Sequence, residues 1–310
     1  MKHHRDLHIA VLMGGWSAER EVSLDSGKAC AEALERAGYR VTRIDVARDI
    51  ATVLGELAPD AVFNALHGSW GESGCIQAIL ETLRMPYTHS GVRASAIAMH
   101  KDISKTLFAA HGIPVAKSMV LPLQQVAAHH PLPPPYVVKP VSGGSSIGVH
   151  IVHEGANRPC AAILDRADLY ADRVMVEAYV AGRELTCAVM GDTALEVIDI
   201  AADNRFYDYE AKYAIGGSVH TLPAPIPPDI YQRVQHYALN AHRALGCRGV
   251  SRSDFRYDDT AEGTGRLAIL ELNTQPGMTA TSLLPDAARH AGYNFEELVC
   301  WMARDVSCDR

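Results

Sequence analysis

The segment Lys139-Pro-Val-Ser-Gly-Gly-Ser-Ser-Ile-Gly148 concentrates the residue types that bind phosphate. Glycines let backbone N–H groups approach anionic oxygens closely, Ser145 and Ser146 add hydroxyl donors, and Lys139 supplies a compact positive charge. Taken alone, the loop reads better as a plain glycine-rich hairpin. Walker A and Rossmann glycine patterns are absent. Gly144-Ser-Ser-Ile-Gly148 also satisfies the G-x-S-x-G pattern of a serine nucleophile, which needs strand, turn, then helix. Here β-branched Val149-His-Ile-Val152 follows, bounded by His153-Glu-Gly, and predicts a strand. A serine hydrolase is therefore a remote rival.

A second constellation lies nearer the C-terminus. In Ser251-Arg-Ser-Asp254, Arg252 and Asp254 are two apart on a predicted strand and share a face. In Leu267-Ala-Ile-Leu-Glu-Leu-Asn273, Glu271 and Asn273 share a face, and Leu270 and Leu272 are expected on the other. Two carboxylates and an amide oxygen on neighbouring strands suit a hard cation such as Mg²⁺ bridging phosphates. The alternative is a solvated strand edge, although charges within an apolar strand need partners. The strand runs into Thr274-Gln-Pro-Gly-Met-Thr279, where Gly277 leaves the backbone open to a ligand. Glu177 and Glu184 flank Ala178-Tyr-Val-Ala-Gly-Arg183, a strand end able to offer backbone groups and an apolar wall to an adenine edge, with Val180 nearby.

These groups must be positioned by a scaffold that alternates strands and helices. Ile9–Met13 is an apolar run ending in Gly14–Gly15, which predicts a buried parallel strand and a tight turn. Ser23–Ala37 has helical apolar spacing and stops at Gly38. Tyr39–Ile44 and Ala61–Leu66 predict further strands. The expectation is an open parallel sheet with ligand-facing loops at its carboxyl ends. A boundary falls near Met99–Lys101, before a helix from Lys101 to His111. Pro131-Leu-Pro-Pro-Pro135 is a stiff connection into a strand at Tyr136–Lys139, and Val250–Tyr257 and Leu267–Asn273 are strands of the last region. The fold class is α/β and α+β, divided at 1–100, 101–183 and 184–310.

Composition narrows the function classes. The formal charge of −7 and the absence of a long basic run exclude nucleic acid as the main partner. No apolar stretch approaches the roughly 20 residues needed to span a bilayer, so no membrane role is expected. The start, Met1-Lys-His-His-Arg-Asp-Leu-His8, lacks the features of a secretory signal. Seven scattered cysteines without C-x-x-C spacing point to a reduced, cytoplasmic setting. Histidine pairs such as His129–His130 fit solvated loops.

Six motifs in fixed order carry a resemblance. They are Gly14-Gly-Trp-Ser-Ala-Glu-Arg-Glu-Val-Ser23, Ala65-Leu-His-Gly-Ser-Trp-Gly-Glu72, the Lys139–Gly148 loop, Phe206-Tyr-Asp-Tyr-Glu-Ala-Lys-Tyr213, Ser251-Arg-Ser-Asp254, and Glu271-Leu-Asn-Thr-Gln-Pro-Gly-Met-Thr279 leading to Ser282. Over essentially its whole length the chain resembles the D-alanine–D-alanine ligase family of the ATP-grasp superfamily. The resemblance implies an N-terminal open parallel-sheet (pre-ATP-grasp) domain followed by a two-lobed ATP-grasp fold. It implies ATP-dependent joining of two D-alanine molecules through an acyl phosphate, for peptidoglycan precursor synthesis. It further implies two Mg²⁺ ions, with Mn²⁺ as a substitute, and a homodimer.

By the same resemblance, Glu19 orients the first D-alanine's ammonium group, with Ser145 and Tyr213 in a hydrogen-bonded chain around it and His67 near its carboxylate. Arg252 and the Gly277 N–H face the tetrahedral intermediate. Lys212 and Ser282 bind the second D-alanine, and Lys212 also reaches the transferred phosphate. Lys101 and Lys139, with Ser146 in the loop, hold ATP phosphates; Glu177, Val180 and Glu184 hold adenosine; Asp254, Glu271 and Asn273 hold the metal ions. Phe206–Ser218 reads as a lid over the substrates.

Three departures stand out. Gly71-Glu-Ser-Gly74 replaces the family's usual Gly-Glu-Asp-Gly, Gly143 stands where an acidic residue is common, and Ala178 and Tyr179 replace a lysine and a tryptophan. Rivals are a D-alanine–D-lactate or D-alanine–D-serine ligase of the same fold and a non-catalytic nucleotide-binding module.

Overall fold

Strand β1 (His8–Met13) is buried along its whole length, and its alternation divides two cores. Ile9, Val11 and Met13 face one cluster, whereas Ala10 and Leu12 face another, as the period of two requires. The computed structural model describes residues 7–157, 159–170, 172–201, 219–260, 262–279 and 281–308. β1 pairs in parallel with β2 (Arg40–Asp45) and β3 (Ala61–Asn64), giving the order β2-β1-β3. Helix α1 (Arg20–Arg36) packs on this sheet so closely that a Cβ at Gly27 would stand 2.4 Å from the Met13 Cβ. Helices α2 (Ile50–Leu57), α3 (Ser69–Glu72) and α4 (Cys75–Thr82) follow. Ile50, Leu54, Ile76 and Leu80 cover the Ala10–Leu12 face. Each such side chain contributes about 1.5–3 kcal/mol when fully buried.

Helix α1 begins three residues before the expected Ser23. Ser23 is not a helix cap: its hydroxyl donates to the Ala65 carbonyl (2.8 Å) and accepts from the Gly14 N–H (2.9 Å). It thereby ties the loops after β1 and β3 together. Strand β3 ends at Asn64 rather than Leu66, because the Asn64 amide turns the chain. Its Oδ1 accepts from the Leu66 N–H, and its Nδ2 donates to Gln275 Oε1 at 2.7 Å.

Helices α5 (Val92–Met99) and α6 (Lys101–Ala110) lead to an antiparallel sheet of order β4-β7-β5-β6, built from β4 (Ser118–Pro122), β5 (Tyr136–Pro140), β6 (His150–Val152) and β7 (Arg173–Ala178). Helix α7 (Leu123–Ala128) and a 3₁₀ segment (Ala161–Leu169) cover it with Leu123, Val126 and Ile163. A second antiparallel sheet has the order β10-β9-β8-β11-β12: β8 (Arg183–Met190), β9 (Thr193–Ala201), β10 (Val219–Thr221), β11 (Val250–Tyr257) and β12 (Leu267–Asn273). Helix α8 (Pro228–Leu245) buries Ile230, Val234, Ala238 and Ala241 in one core with Phe108 of α6 and Leu185, Val197 and Ile269 of that sheet. The chain ends with α9 (Leu283–His290) and α10 (Phe295–Arg304), which return to the N-terminal sheet: Leu284 and Leu298 share a core with Val11 and Leu34. Asn294 and Glu297 form a reciprocal capping box at the start of α10.

The expectation that Leu270 lies opposite Glu271 is corrected. Asp254 pairs with Glu271, but the next residue, Phe255, pairs with Ile269, so Leu270 is the extra residue of a β-bulge. A bulge breaks strict alternation and re-aims a side chain, and Leu270 lines the same cavity as Glu271. Leu272 joins the buried core as expected.

Two buried histidines tie stability to pH. His242 of α8 is hydrogen-bonded through Nδ1 to Ser251 Oγ (2.7 Å), and burial pushes its pKa down to about 4. Burial, with His67 nearby, pushes His89 down to about 3. Both folded values lie below the unfolded value of about 6.5, so the unfolded chain binds more protons as pH falls. This stability is complete above about pH 6.5 and is lost progressively below it, by roughly 2 kcal/mol per histidine at about pH 5. His242→Gln is expected to shrink the loss in unfolding free energy between about pH 7 and pH 5 by a comparable amount, measured by urea denaturation. An undiminished loss would remove His242 from the account.

Candidate active site

Two cavities adjoin between the three sheets and share a wall. The first is walled by the loops after β1 and β3 and by the β11–β12 hairpin. Glu19, at the N-terminal end of α1, accepts a hydrogen bond from Ser145 Oγ across 126 residues of chain. Ser145 and Ser146 have φ of 53° and 57°. This left-handed turn aims Ser145 at Glu19, a conformation that non-glycine residues adopt rarely. Gly68 has φ 86°, and a Cβ there would collide with Ser17 and with the Glu19 carboxylate. The His67 Nε2 lies 3.1 Å from Ser26 Oγ, and its Nδ1 lies 3.6 Å from Glu72, which accepts from the Gly68 N–H at 2.7 Å. A second staple closes this corner, with the Ser17 hydroxyl donating to the His67 carbonyl at 2.6 Å.

The opposite wall comes from β11 and β12, in the register Arg252–Asn273 and Asp254–Glu271. Arg252 grips Asp254 with both ends of its fork, Nε–Oδ1 at 2.9 Å and Nη2–Oδ2 at 2.7 Å. Thr186 of β8 adds a third donor to Asp254 at 2.6 Å. Lys101 lies 2.9 Å from Glu271 and donates to the Gly143 carbonyl at 2.5 Å, linking α6, β12 and the glycine loop. Asn273 Oδ1 accepts from the Gln275 N–H at 2.8 Å. Gly277 and Ser282 line the same cavity; Ser282 Oγ accepts from the Thr279 N–H at 2.9 Å and lies 2.8 Å from Thr279 Oγ1.

The second cavity is more apolar and lies between the β5–β6–β7 sheet and the β8–β11–β12 sheet. Val137, Ile147, Val149, Ala178, Tyr179, Val180 and Leu270 form its walls; Lys139, Ser146, Glu177, Glu184 and Arg256 are among its polar groups. Arg256 braces the strand end, donating to the carbonyls of Val180 (3.1 Å) and Gly182 (2.8 Å), with Glu184 3.5 Å away. Lys139 is buried and donates to Glu177 at 2.5 Å. Burial pushes the Lys139 ammonium down to about 8, with Lys101 adding to the effect and Glu271 opposing it.

The described site residues expected from sequence thus line two cavities. Glu19, His67, Ser145, Arg252, Asn273, Gly277 and Ser282 line one, and Lys139, Ser146, Glu177, Val180, Glu184 and Asp254 line the other. Lys101, Gly143, Gly144 and Glu271 belong to both. Lys212 and Tyr213, with the expected lid at 206–218, lie outside the described residues. The strand β6 after the glycine loop removes the strand–turn–helix context that a serine nucleophile requires. Sequence reading missed Lys105, which contacts Glu177 from α6, although its position four residues after Lys101 on a helix was the signal for a shared face.

The residues present fit a divalent cation. Asp254 and Glu271 face one another in register, with Asn273 beside them, an all-oxygen donor set. Among the described residues no group of three or more His, Cys, Asp or Glu side chains is arranged for a metal; the third donor is an amide. In this structure the Arg252 guanidinium and the Lys101 ammonium balance the two carboxylates.

Known proteins resemble this arrangement throughout the chain. Residues 107–303 match the family model described as "D-ala D-ala ligase C-terminus". The D-alanine–D-alanine ligase of Parvibaculum lavamentivorans is 61% identical over 303 residues, covering 98% of each chain. That of Methylobacterium radiotolerans is 60% identical over 304 residues, covering 98% of this chain and 99% of the relative. Among solved structures, the Bacillus anthracis D-alanine–D-alanine ligase complexed with ATP superposes with a TM-score of 0.82 at 29% identity, covering 96% of this chain and 97% of its own. The VanG D-Ala:D-Ser ligase from Enterococcus faecalis reaches 0.79 at 28% identity, with 96% and 99% covered.

Proposed function

The chain belongs to the D-alanine–D-alanine ligase family, and from that premise we propose that its joined cavities condense two D-alanine molecules while ATP is cleaved to ADP and phosphate. The observation that carries this reading is the common wall of Lys101, Gly143, Gly144 and Glu271. A nucleotide in the apolar cavity directs its terminal phosphate at this wall, where a carboxylate held in the first cavity meets it.

In the proposed sequence, Glu19 and Ser145 take the ammonium group of the first D-alanine, and His67 lies toward its carboxylate. That carboxylate attacks the γ-phosphate, forming the acyl phosphate and releasing ADP. Lys101 and Lys139 offset the charge repulsion between the two anions. The amine of the second D-alanine, positioned by Ser282 and Lys212, then attacks the acyl carbon; the tetrahedral intermediate collapses by breaking the C–O bond to the phosphoryl group, which leaves as inorganic phosphate while the nitrogen loses a proton to solvent. Arg252 and the Gly277 N–H stabilise the oxyanion, a term of roughly 3–4 kcal/mol per good donor. Asp254, Glu271 and Asn273 are proposed to hold Mg²⁺, which when bound supplies charge neutralisation along the phosphates. No covalent enzyme intermediate is required.

The division at 1–100, 101–183 and 184–310, assembly as a homodimer and a cytoplasmic location belong to the same proposal. The cysteines are scattered and none is spaced C-x-x-C, in keeping with a reducing compartment. Among the described residues no helix is long and apolar enough to cross a membrane.

The reading is tested by ADP and phosphate release with Mg²⁺-ATP, comparing D-alanine, L-alanine, and D-alanine with D-lactate or D-serine. Release with D-alanine alone, yielding the dipeptide, is expected; equal turnover with L-alanine would refute the substrate assignment. Tyr213 is proposed to favour an amine acceptor, since in related depsipeptide-forming ligases its counterpart is typically absent. Tyr213→Phe should raise the ratio of D-alanyl-D-lactate to D-alanyl-D-alanine when both acceptors compete near neutral pH. An unchanged product ratio by chromatography would remove Tyr213 from acceptor choice and leave the ligase reading standing.

A further inference from the structure

Beneath the nucleotide cavity lies a buried row of charge, Lys105–Glu177–Lys139. Glu177 stands on β7, opposite Val137 of β5, so it is flanked by Lys139 two residues further along β5. One carboxylate oxygen accepts from Lys139 at 2.5 Å, and the other meets Lys105 of α6. All three side chains are almost wholly removed from water, yet Lys139 and Glu177 line the cavity whereas Lys105 does not. Other charges around the row are already engaged: Lys101 lies 2.9 Å from Glu271, and Arg266 donates to the Val115 carbonyl at 3.0 Å.

A buried carboxylate beside a phosphate site poses a problem. Paired with Lys139 alone, Glu177 cancels the charge that should meet the nucleotide and repels its phosphates. With two lysines sharing one carboxylate, the row keeps one net positive charge. We propose that Lys105 is a positioning residue that neutralises Glu177 from the protein side, leaving the charge of Lys139 available to the phosphates of ATP. Glu177 in turn fixes both ammonium groups, so that Lys139 is held in the wall before nucleotide arrives. Burial and the neighbouring cations Lys139, Arg266 and Lys101 pull the Lys105 ammonium down to about 6, whereas the Glu177 carboxylate in direct contact with it favours the charged form and holds the proton on Lys105. The inference rests on the proposed placement of ATP phosphates at Lys139.

The test compares the affinities of ATP and adenosine, each measured by calorimetry, because their ratio isolates the phosphate contribution. Lys105→Met should lower the ATP-to-adenosine ratio about tenfold, the scale of one charge lost at short range in a partly screened site, with adenosine affinity little changed. Lys105→Arg should retain the wild-type ratio. Lys105→Met combined with Glu177→Gln removes both charges and, although it also releases Lys139 from its anchor, should raise the ratio clearly above that of Lys105→Met alone. A folded Lys105→Met protein with an unchanged ratio overturns the proposal, as does a double variant as weak in phosphate discrimination as Lys105→Met. Equal weakening of ATP and adenosine assigns Lys105 to packing alone and also overturns it. If Lys105→Met does not fold, the double variant and Lys105→Arg decide: a tenfold lower ratio in either refutes the counter-ion role. Lys139→Ala separates the two levels. An unchanged ratio there overturns the phosphate placement itself, and this inference with it, whereas a lowered ratio beside an unaffected Lys105→Met removes only the role of Lys105.

Discussion

Glu271→Gln is expected to lower kcat about a thousandfold while leaving the protein folded. The substitution keeps shape and removes one negative charge from the wall that both cavities share. Glu271 faces Asp254 in register and lies 2.9 Å from Lys101. Losing it halves the carboxylate charge available to a hard cation and leaves the Lys101 ammonium beside it unbalanced. Charge stabilisation of a transferring phosphoryl group is worth several kcal/mol. About 4 kcal/mol corresponds to roughly a thousandfold in rate. Some stability is lost as well, because Lys101 is buried and loses its carboxylate partner, and chemical denaturation separates that loss from the loss in turnover. Lys101 keeps its bond to the Gly143 carbonyl. The measurement is kcat at saturating ATP and D-alanine across a Mg²⁺ titration, alongside chemical denaturation. Turnover within about tenfold of wild type at saturating Mg²⁺ would refute the assignment of Glu271 to the metal site.

Arg252→Lys should cost about a hundredfold to a thousandfold in kcat, with the KM for ATP changed by less than about threefold. The charge is retained, so the expected loss comes from geometry. Arg252 donates through Nε and Nη2 to the two oxygens of Asp254, at 2.9 and 2.7 Å. This leaves the rest of a planar fork facing the first cavity, which it lines. A lysine cannot hold Asp254 with two parallel bonds and present another donor in the same plane. An interaction made chiefly to a developing oxyanion appears in kcat rather than in ground-state binding. A variant with normal kcat and a raised KM would assign Arg252 to substrate binding instead, and removal of Asp254's anchor would be visible separately as a shifted Mg²⁺ dependence.

Much of this site was legible before any coordinates because its chemistry is written in short segments. The same-face pairs Arg252–Asp254 and Glu271–Asn273 follow from the period of two in a strand. The Lys139–Gly148 loop declares itself by glycine and serine content, and the parallel N-terminal sheet by apolar runs alternating with helical spacing. Each depends on steric and hydrophobic preferences acting within about ten residues.

What only the tertiary structure decided lies in encounters between distant segments. Local periodicity carries no information on which lysine of α6 meets Glu177, nor that Ser145 reaches Glu19. Leu270 departs from its expected face because the register of β11 against β12 slips by one residue, a consequence of pairing rather than of the β12 sequence alone. The helices α9 and α10 pack on the N-terminal sheet because hydrophobic burial is non-directional and rewards any complementary apolar face. The common wall of the two cavities is likewise assembled from α6, the glycine loop and β12. Sequence thus determined the candidate groups and the strands and loops that bear them; packing between separate layers decided which groups meet, because those contacts depend on shape and charge brought together only when the chain is folded.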